Sequence, residues 1–239
     1  MRATSLSGPS LAPADGAPAR RLVVFLHGYG ADGNDLIGLA PFFAQAMPDA
    51  AFHSPHAPEP CEMAPMGRQW FSLRAYDPEM LRRDPATLGP ALTQMFQGAE
   101  TAAPSLNAYL DDLLNHYGLT SDRLVLAGFS QGTMMALHVG LRRGEGKAPA
   151  AILGYSGALL GAERLKDDIA AKPPVLLIHG AADEVVPPQA MDAAETTLSA
   201  LGVPVETHSR PNLPHGIDDE GAARGRSFLD AHTAAQAAP

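Results

Sequence analysis

The chain has 239 residues, of which 46% are hydrophobic and 18% are charged, and its formal net charge is −9. This composition is typical of a globular protein with a large core and excludes a disordered chain. The negative charge disfavours nucleic acid as a partner, and the sequence contains no apolar run long enough to span a membrane. Because Cys61 is the only cysteine, no internal disulfide can form, and we expect a soluble cytoplasmic protein.

Residues 1–20 are predicted to form a loose arm or a short edge strand, because prolines interrupt regular pairing there. Residues 21–239 are predicted to form one domain. Continuous apolar runs in this domain predict strands buried between two helical layers, at residues 22–26, 123–127, 150–155 and 175–178, with a further strand at 203–209. Amphipathic helices are predicted between them at 106–117, 131–143 and 188–201. This alternation predicts an α/β fold with a mostly parallel central sheet and helices on both faces.

Residues 55–104 interrupt the alternation, because prolines divide them into short pieces and predict a loop-rich segment. Such a segment in a compact domain commonly binds substrate or acts as a lid. Its large apolar side chains are predicted to form the wall of a substrate pocket, or alternatively to cover the core. These side chains are Met63, Met66, Trp70, Phe71, Met80 and Leu81.

The segment Gly128-Phe129-Ser130-Gln131-Gly132 matches the G-x-S-x-G motif and lies between a predicted strand and a predicted helix. This is the setting of a nucleophile elbow, a strained turn that exposes a serine hydroxyl at the N-terminus of a helix. We therefore predict that Ser130 is a catalytic nucleophile. Ser156 also follows a strand, but no clear helix begins after it, and a structural role is the preferred interpretation.

A nucleophilic serine needs a general base, and the base needs an acid that fixes its tautomer. In α/β-hydrolases these residues follow the nucleophile in the order acid, then histidine. Asp183 and His215 both follow predicted strands in that order, and we predict that they are the acid and the base. Glu184 and Asp192 are the competing acids.

The remaining histidines fit the role of base less well, because they lie in helices, within a strand, near the terminus or beside a turn glycine: His116, His138, His179, His208 and His232. The oxyanion hole is predicted to use the backbone N–H groups of Gln131 and Tyr29, the latter in the loop after the first buried strand. A cluster of His53, His56, Cys61 and Glu62 raises the question of a metal site. Its spacing matches no zinc pattern, so no metal is expected.

Several short motifs accompany these residues in a fixed order between about residues 20 and 230. They are Leu26-His27-Gly28-Tyr29-Gly30-Ala31-Asp32-Gly33, Ser54-Pro55-His56-Ala57-Pro58, Trp70-Phe71, the Ser130 elbow, His179-Gly180 with Asp183, and Pro214-His215. The combination resembles the phospholipase/carboxylesterase family, which includes bacterial carboxylesterases and acyl-protein thioesterases. The resemblance implies an α/β-hydrolase fold without a large cap domain and a Ser130–Asp183–His215 triad. It also implies that there is no cofactor, and self-association into a homo-oligomer such as a dimer.

The expected activity is hydrolysis of small carboxylic esters through an acyl-enzyme. The thioesterase branch of the family usually carries leucine where Tyr29 stands, and Ala31 is an extra residue between glycine and aspartate. These departures favour short acyl chains over long ones. The alternatives are an acyl thioesterase or lysophospholipase that uses the same triad, and a non-catalytic binding protein on a hydrolase scaffold.

Overall fold

The apolar runs of the sequence form the strands at the centre of the molecule. The computed structural model describes residues 6–74, 88–144 and 146–234. Within these ranges the strands are β1 (Ser10–Leu11), β2 (Arg21–Leu26), β3 (Ala50–His53), β4 (Glu59–Pro60), β5 (Arg68–Gln69), β6 (Leu124–Phe129), β7 (Ala151–Tyr155), β8 (Val175–Gly180) and β9 (Val205–Arg210). Every residue of β2, β7 and β8 is buried, as expected for strands between two helical layers.

Seven of these strands form one sheet in the order β1-β3-β2-β6-β7-β8-β9. All neighbours in this sheet run parallel except β1, which pairs antiparallel with β3. Strands β4 and β5 form a separate antiparallel pair. The sheet is therefore mostly parallel, as predicted. Strand β1 adds a two-residue edge to it, with Ser10 opposite His53 and Leu11 opposite Phe52.

Helices cover both faces of the sheet. They are α1 (Gly33–Leu36), α2 (Ala40–Ala44), α3 (Leu88–Tyr117), α4 (Gln131–Arg142), α5 (Ala162–Asp168), α6 (Gln189–Ala200) and α7 (Asp219–Ala234). Alternate residues of the strands enter different core clusters, because successive side chains of a strand point to opposite faces. Leu22 and Val24 join the cluster that contains residues of α3, α4 and α6, whereas Phe25 joins the one that contains residues of α2 and α7.

Helix α3 corrects the prediction that residues 55–104 are loop-rich throughout, because residues 88–104 are helical. Pro90 lies in the first turn, where a backbone N–H has no partner within the helix. Pro104 lies inside the helix, and the buried stripe of Leu106, Leu110 and Leu114 continues at helical spacing beyond it. Met80 and Leu81, which were predicted to line a pocket, lie outside the described residues.

None of the helices in the described part of the chain is long and apolar enough to cross a membrane.

Candidate active site

Ser130 lies at the turn between β6 and α4, in a backbone conformation that side-chain-bearing residues rarely adopt. Its φ is 54° and its ψ is −117°. The residue directly precedes the first turn of α4. The Ser130 N–H donates to the carbonyl oxygen of Tyr155 at 2.8 Å, which anchors the turn to the neighbouring strand β7. The residue is 8% exposed, so its environment excludes most of the solvent.

The two glycines around Ser130 are required by close backbone approaches. A Cβ placed on Gly132 would lie 1.7 Å from the carbonyl oxygen of Leu26 in β2. A Cβ placed on Gly128 would lie 2.4 Å from the backbone of Gly132. No side chain can occupy such a space, and helix α4 therefore packs directly against the end of β2. The motif holds the serine between β2 and β7 by backbone contact.

Ser156, the competing serine, follows β7 and also has a positive φ, of 47°. It is 1% exposed, and its hydroxyl has no hydrogen-bond partner among the described residues. The next helix, α5, begins only at Ala162, so no helix N-terminus lies directly behind the Ser156 hydroxyl. The local structure thus separates the two serines as the sequence predicted, with only Ser130 at a strand–helix elbow.

Asp183 and His215 contact each other at the carboxyl ends of β8 and β9. The Nδ1 atom of His215 lies 2.7 Å from Oδ2 of Asp183. The Asp183 side chain is fully buried, and Oδ1 accepts the N–H groups of Val185 and Val186 at 2.9 Å each. These two hydrogen bonds fix the orientation of the carboxylate. The competing acids Glu184 and Asp192 are both exposed.

The loop that carries His215 packs tightly on the end of β8. The N–H of Ala182 donates to the carbonyl oxygen of Leu213 at 3.0 Å. A Cβ on Gly180 would lie 2.2 Å from the same oxygen, so the loop approaches the strand where only glycine fits. The His215 ring lies against the ring of Phe129, with centroids 4.8 Å apart. Since Phe129 directly precedes Ser130, this contact brings the histidine beside the nucleophile elbow.

The other histidines are engaged elsewhere. His138 is buried in α4 with its ring edge against Phe96, and burial lowers its pKa to about 4. His208 lies 3.5 Å from Glu220. His179 differs from these, because its Nε2 atom lies 2.9 Å from the carbonyl oxygen of Val186 and 3.2 Å from Oδ2 of Asp183. The sequence predicted only a structural role for this ring and did not indicate its contact with Asp183.

The loop after β2 lies against the nucleophile. A Cβ on Gly28 would lie 3.4 Å from Cβ of Ser130, so the residue before Tyr29 packs against the elbow. His27 holds the loop: its Nδ1 lies 2.8 Å from the carbonyl oxygen of Gly28, and its Nε2 accepts the N–H of Ala57 at 3.0 Å. Burial lowers the pKa of His27, which favours the neutral ring that these two hydrogen bonds need.

The predicted oxyanion donors are Tyr29, in the loop after β2, and Gln131, which directly follows Ser130. Gln131 is the first residue of α4, where the backbone N–H groups have no partner within the helix. Neither the Tyr29 N–H nor the Gln131 N–H has an acceptor among the described residues. Two N–H groups beside a serine, one of them at the positive end of a helix, can stabilise a negative oxygen.

The side chain of Gln131 has a role that the sequence did not predict. Its Oε1 accepts the N–H of Trp70 and its Nε2 donates to the carbonyl oxygen of Phe71, both at 2.8 Å. The indole N–H of Trp70 in turn donates to the carbonyl oxygen of His27 at 3.0 Å. Trp70 and Phe71 are 1% and 3% exposed, so they connect the loop after β2 to α4 from within the core.

Met63 and Met66, which were predicted to line a substrate pocket with Trp70 and Phe71, lie at the surface. They are 76% and 93% exposed and cannot form an enclosed apolar surface with Trp70 and Phe71, which are buried. Their loop nevertheless approaches the site, because a Cβ on Gly67 would lie 2.0 Å from the carbonyl oxygen of Gly30. The close packing of Gly67 on the backbone of Gly30 therefore fixes this loop, and the methionine side chains project from it.

The Tyr29 side chain also contacts this loop. Its hydroxyl donates to Glu62 Oε1 at 3.2 Å, and the same oxygen accepts the Ser72 hydroxyl at 2.8 Å. Arg74 pairs with the other carboxylate oxygen at 3.1 Å. Burial alone would raise the pKa of Glu62, but the hydrogen bond from Ser72 and the charge of Arg74 outweigh it and lower the pKa. A charged carboxylate thus anchors the loop after β2 that carries Tyr29.

The residues considered for a metal site are used in other contacts. The Nε2 atom of His53 lies 2.8 Å from the Tyr117 hydroxyl, and burial lowers the pKa of His53 to about 4. The Nδ1 atom of His56 accepts the N–H of Gly33 at 3.1 Å. In the described ranges, no three His, Cys, Asp or Glu side chains come together in an arrangement that could hold a metal ion.

Comparisons with known proteins agree with this architecture. The sequence profile of the family described as Phospholipase/Carboxylesterase matches residues 12–233. Acyl-protein thioesterase 1 of Gibberella zeae is 28% identical over 222 residues, which cover 87% of this chain and 88% of that protein. A probable carboxylesterase of Oryza sativa subsp. japonica is 27% identical over 231 residues, which cover 94% of this chain and 82% of that protein.

Solved structures show the same fold. Esterase PE8 superimposes with a TM-score of 0.86 and 42% sequence identity, covering 95% of this chain and 99% of that chain. Acyl-protein thioesterase 2 of Zea mays superimposes with a TM-score of 0.63 at 24% identity, covering 95% of this chain and 99% of that chain, which shows similarity of fold alone. These matches confirm the α/β-hydrolase fold that the sequence predicted.

Proposed function

We propose that this chain, which belongs to the phospholipase/carboxylesterase family, is a serine carboxylesterase that hydrolyses short-acyl esters through an acyl-enzyme. Membership of the family makes the protein a hydrolase of ester or thioester bonds. The observation that carries the finer proposal is the contact of His215 Nδ1 with the buried Asp183 carboxylate at 2.7 Å. This contact fixes the tautomer that leaves Nε2 of His215 free to act as a base.

In the first half of the reaction, the Ser130 oxygen attacks the carbonyl carbon of the ester while His215 Nε2 accepts the serine proton. The electron pair of the carbonyl moves onto its oxygen, which becomes an oxyanion. Collapse of this intermediate breaks the bond to the alcohol, which leaves with the proton from His215. The product is Ser130 esterified by the acyl group.

The oxyanion is stabilised by the N–H groups of Tyr29 and Gln131, which point to no acceptor among the described residues and are therefore available for it. In the second half of the reaction, His215 takes a proton from water, and the water oxygen attacks the acyl carbon. Breakage of the bond to Ser130 then releases the carboxylic acid and returns the proton to the serine. Loss of one oxyanion donor typically lowers kcat by about 10²–10³-fold.

The short-acyl preference is supported by the surroundings of Tyr29. A thioesterase-like leucine at this position would leave an apolar surface, whereas the Tyr29 hydroxyl is held by the charged Glu62 carboxylate. The buried Trp70 and Phe71 fill space beside Gln131. A series of 4-nitrophenyl esters tests this preference, with kcat/KM expected to be highest at or below about eight acyl carbons. A maximum at clearly longer chains would favour the thioesterase or lysophospholipase alternative instead.

The nucleophile is tested by labelling with a fluorophosphonate, which reacts with activated serines. The parent protein is expected to bind one probe per chain, and Ser130→Ala to bind none. Ser156→Ala is the matched control and should still be labelled, because Ser156 has a similar backbone conformation but no following helix. Labelling of Ser130→Ala would refute the assignment, and absence of both labelling and esterase activity in the parent would favour a non-catalytic binding protein.

The acid and the base are tested by Asp183→Asn and His215→Gln, each measured for ester hydrolysis. Removing a triad member typically lowers kcat by about 10⁴-fold or more. We further propose a cytoplasmic protein that acts on small molecules, does not bind nucleic acid and self-associates. The unpaired, buried Cys61 and the net charge of −9 support this location and partner class. Light scattering of the purified protein tests the oligomeric state.

A further inference from the structure

His179 is a second histidine in contact with the candidate catalytic acid. It lies in β8, where it is 2% exposed and opposite Ser209 of β9. Its Nε2 atom lies 3.2 Å from Oδ2 of Asp183, the same carboxylate oxygen that contacts Nδ1 of His215 at 2.7 Å. Two imidazole rings therefore meet at one oxygen, one from a buried strand and one from a loop.

The neighbours of His179 define which ring nitrogen carries its proton. Its Nε2 faces the carbonyl oxygen of Val186 at 2.9 Å and Oδ2 of Asp183 at 3.2 Å. Both neighbouring atoms are acceptors, so Nε2 must carry a proton, which it donates to the carbonyl oxygen of Val186 while Oδ2 of Asp183 lies beside it. The Asp183 carboxylate accepts three hydrogen bonds, from Val185 and Val186 at Oδ1 and from His215 at Oδ2, and the protonated Nε2 of His179 lies 3.2 Å from Oδ2.

His179 also holds the turn from Asp183 to Val186 through a hydrogen bond. The Val186 N–H donates to Oδ1 of Asp183, while the Val186 carbonyl oxygen accepts from His179. The His179 side chain, which belongs to the rigid central sheet, thus contacts the turn at both ends: at the Asp183 carboxylate and at the Val186 carbonyl group. His215 lacks such support, because it lies in a loop and its side chain is 17% exposed.

From this geometry we propose that His179 is a positioning residue of the active site, which holds Oδ2 of Asp183 toward His215. The inference rests on the proposed Ser130–Asp183–His215 mechanism. His179 does not itself act as the base, because the ring nitrogen that faces the site is the one occupied by Asp183 and Val186. Its effect on the reaction is transmitted through the orientation and the hydrogen bonding of the carboxylate.

Two effects are expected when this N–H is removed. Without the His179 N–H beside it, the Asp183 carboxylate can rotate away from His215. We therefore expect kcat to fall by about tenfold while KM stays unchanged. In addition, the rotated carboxylate stabilises the protonated ring of His215 less. The acidic limb of the kcat/KM profile should therefore move to lower pH, by roughly half a unit. A change that only reduced the amount of folded protein would alter neither KM nor the pH midpoint of the acidic limb.

The experiment compares His179→Phe, which keeps a planar ring but has no N–H, with His179→Gln, whose side-chain amide can donate near the position of Nε2. Rates are expressed per fluorophosphonate-reactive site, so that unfolded molecules are not counted. We expect His179→Phe to show both effects and His179→Gln to recover most of kcat and the parent midpoint. His208→Phe is the matched control, because His208 contacts Glu220 from β9 and is expected to leave both quantities unchanged.

If His179→Phe does not fold, His179→Asn replaces it, because its shorter amide cannot reach Asp183 whereas that of His179→Gln can. A kcat within about twofold of the parent and an unshifted midpoint would overturn the inference. It would also be overturned if His179→Gln were as impaired as the variants that lack the donor. Asp183→Asn and His215→Gln are measured in parallel. If they stay active, the proposed mechanism fails, and if they are inactive while His179→Phe is normal, only the role of His179 fails.

Discussion

The backbone N–H of Trp70 donates to the side-chain oxygen of Gln131 at 2.8 Å. Gln131 therefore contributes to the candidate site twice, since its backbone N–H faces the space beside Ser130 while its side chain holds a distant segment. Because that segment also contacts the carbonyl oxygen of His27 through the Trp70 indole, the two sides of the proposed oxyanion hole are joined through buried hydrogen bonds. The spacing between the two donors is consequently fixed by the core.

Gln131→Ala should test this connection, because it keeps the backbone N–H and removes only the side-chain amide. The N–H of Trp70 and the carbonyl oxygen of Phe71 would be left buried without partners. We expect the free energy of unfolding to fall by about 2–4 kcal/mol and kcat to fall by about tenfold. Urea denaturation and rates per labelled site measure the two effects. Gln45→Ala is the control, since Gln45 is exposed and bonded only to Arg226, and it should change neither.

Gly132→Ala is expected to prevent correct folding of the elbow. The new methyl group would meet the carbonyl oxygen of Leu26 at 1.7 Å, and neither backbone can move without separating α4 from β2. The free energy of unfolding should fall by more than about 4 kcal/mol, measured by thermal or urea denaturation. Gly144→Ala provides the comparison, because a Cβ there meets no atom within 4 Å. Equal stability of the two variants would contradict the close approach.

The link between Tyr29 and Glu62 can be measured with a double-mutant cycle of Tyr29→Phe and Glu62→Gln. Tyr29→Phe keeps the proposed oxyanion donor but releases its loop, so kcat should fall a few-fold. The coupling energy between the two changes should be about 0.5–1.5 kcal/mol. Ser72→Ala removes another donor to the same Glu62 oxygen and should leave kcat unchanged. An additive cycle would show that the 3.2 Å contact does not stabilise the loop.

Acid should destabilise the fold through its buried histidines. Burial, which disfavours the charged ring, lowers the pKa of His138 from 6.5 to about 4. The unfolded chain therefore binds a proton at higher pH than the folded chain does, so stability is complete above about pH 6.5 and is lost as the pH falls through about 4. The loss from His138 is about 3 kcal/mol.

Denaturation of His138→Leu between pH 7 and pH 4 measures this contribution, and its stability should decline less steeply than that of the parent. His116→Leu is the control, because His116 is exposed, and its decline should match that of the parent. A parallel decline in the His138 variant and the parent would show that this ring does not titrate on unfolding.

The strands could be predicted from the sequence because they depend on local patterns. A continuous apolar run such as Leu22–Leu26 indicates a buried strand whatever surrounds it, and the glycines at 128 and 132 indicate a turn between a strand and a helix. The pairing of Asp183 with His215 was predicted from chain order, and the structure places the two side chains in contact. Their catalytic role stays a prediction that the variants above address.

Other features could not be predicted because they depend on tertiary contacts. Proline normally ends a helix, yet α3 includes Pro104, since the apolar stripe on both sides of it packs on the sheet. Met63 and Met66 were predicted beside Trp70 and Phe71, but sequence spacing does not indicate which side of a loop faces solvent. The contacts of His179 and of the Gln131 side chain join residues that only the folded sheet brings together.

The strand order has a consequence for how the protein folds during its synthesis. Tyr29 follows β2 and Ser130 follows β6, whereas Asp183 follows β8 and His215 follows β9, the outermost strand on that side of the sheet. Since N-terminal segments emerge first during synthesis, the proposed mechanism implies that the nascent chain carries an inert serine until β9 has docked. The same order applies in reverse: under that mechanism, detachment of this edge strand would abolish turnover while most of the sheet remained intact. The rate of hydrolysis would then report partial unfolding before spectroscopic signals of the core did.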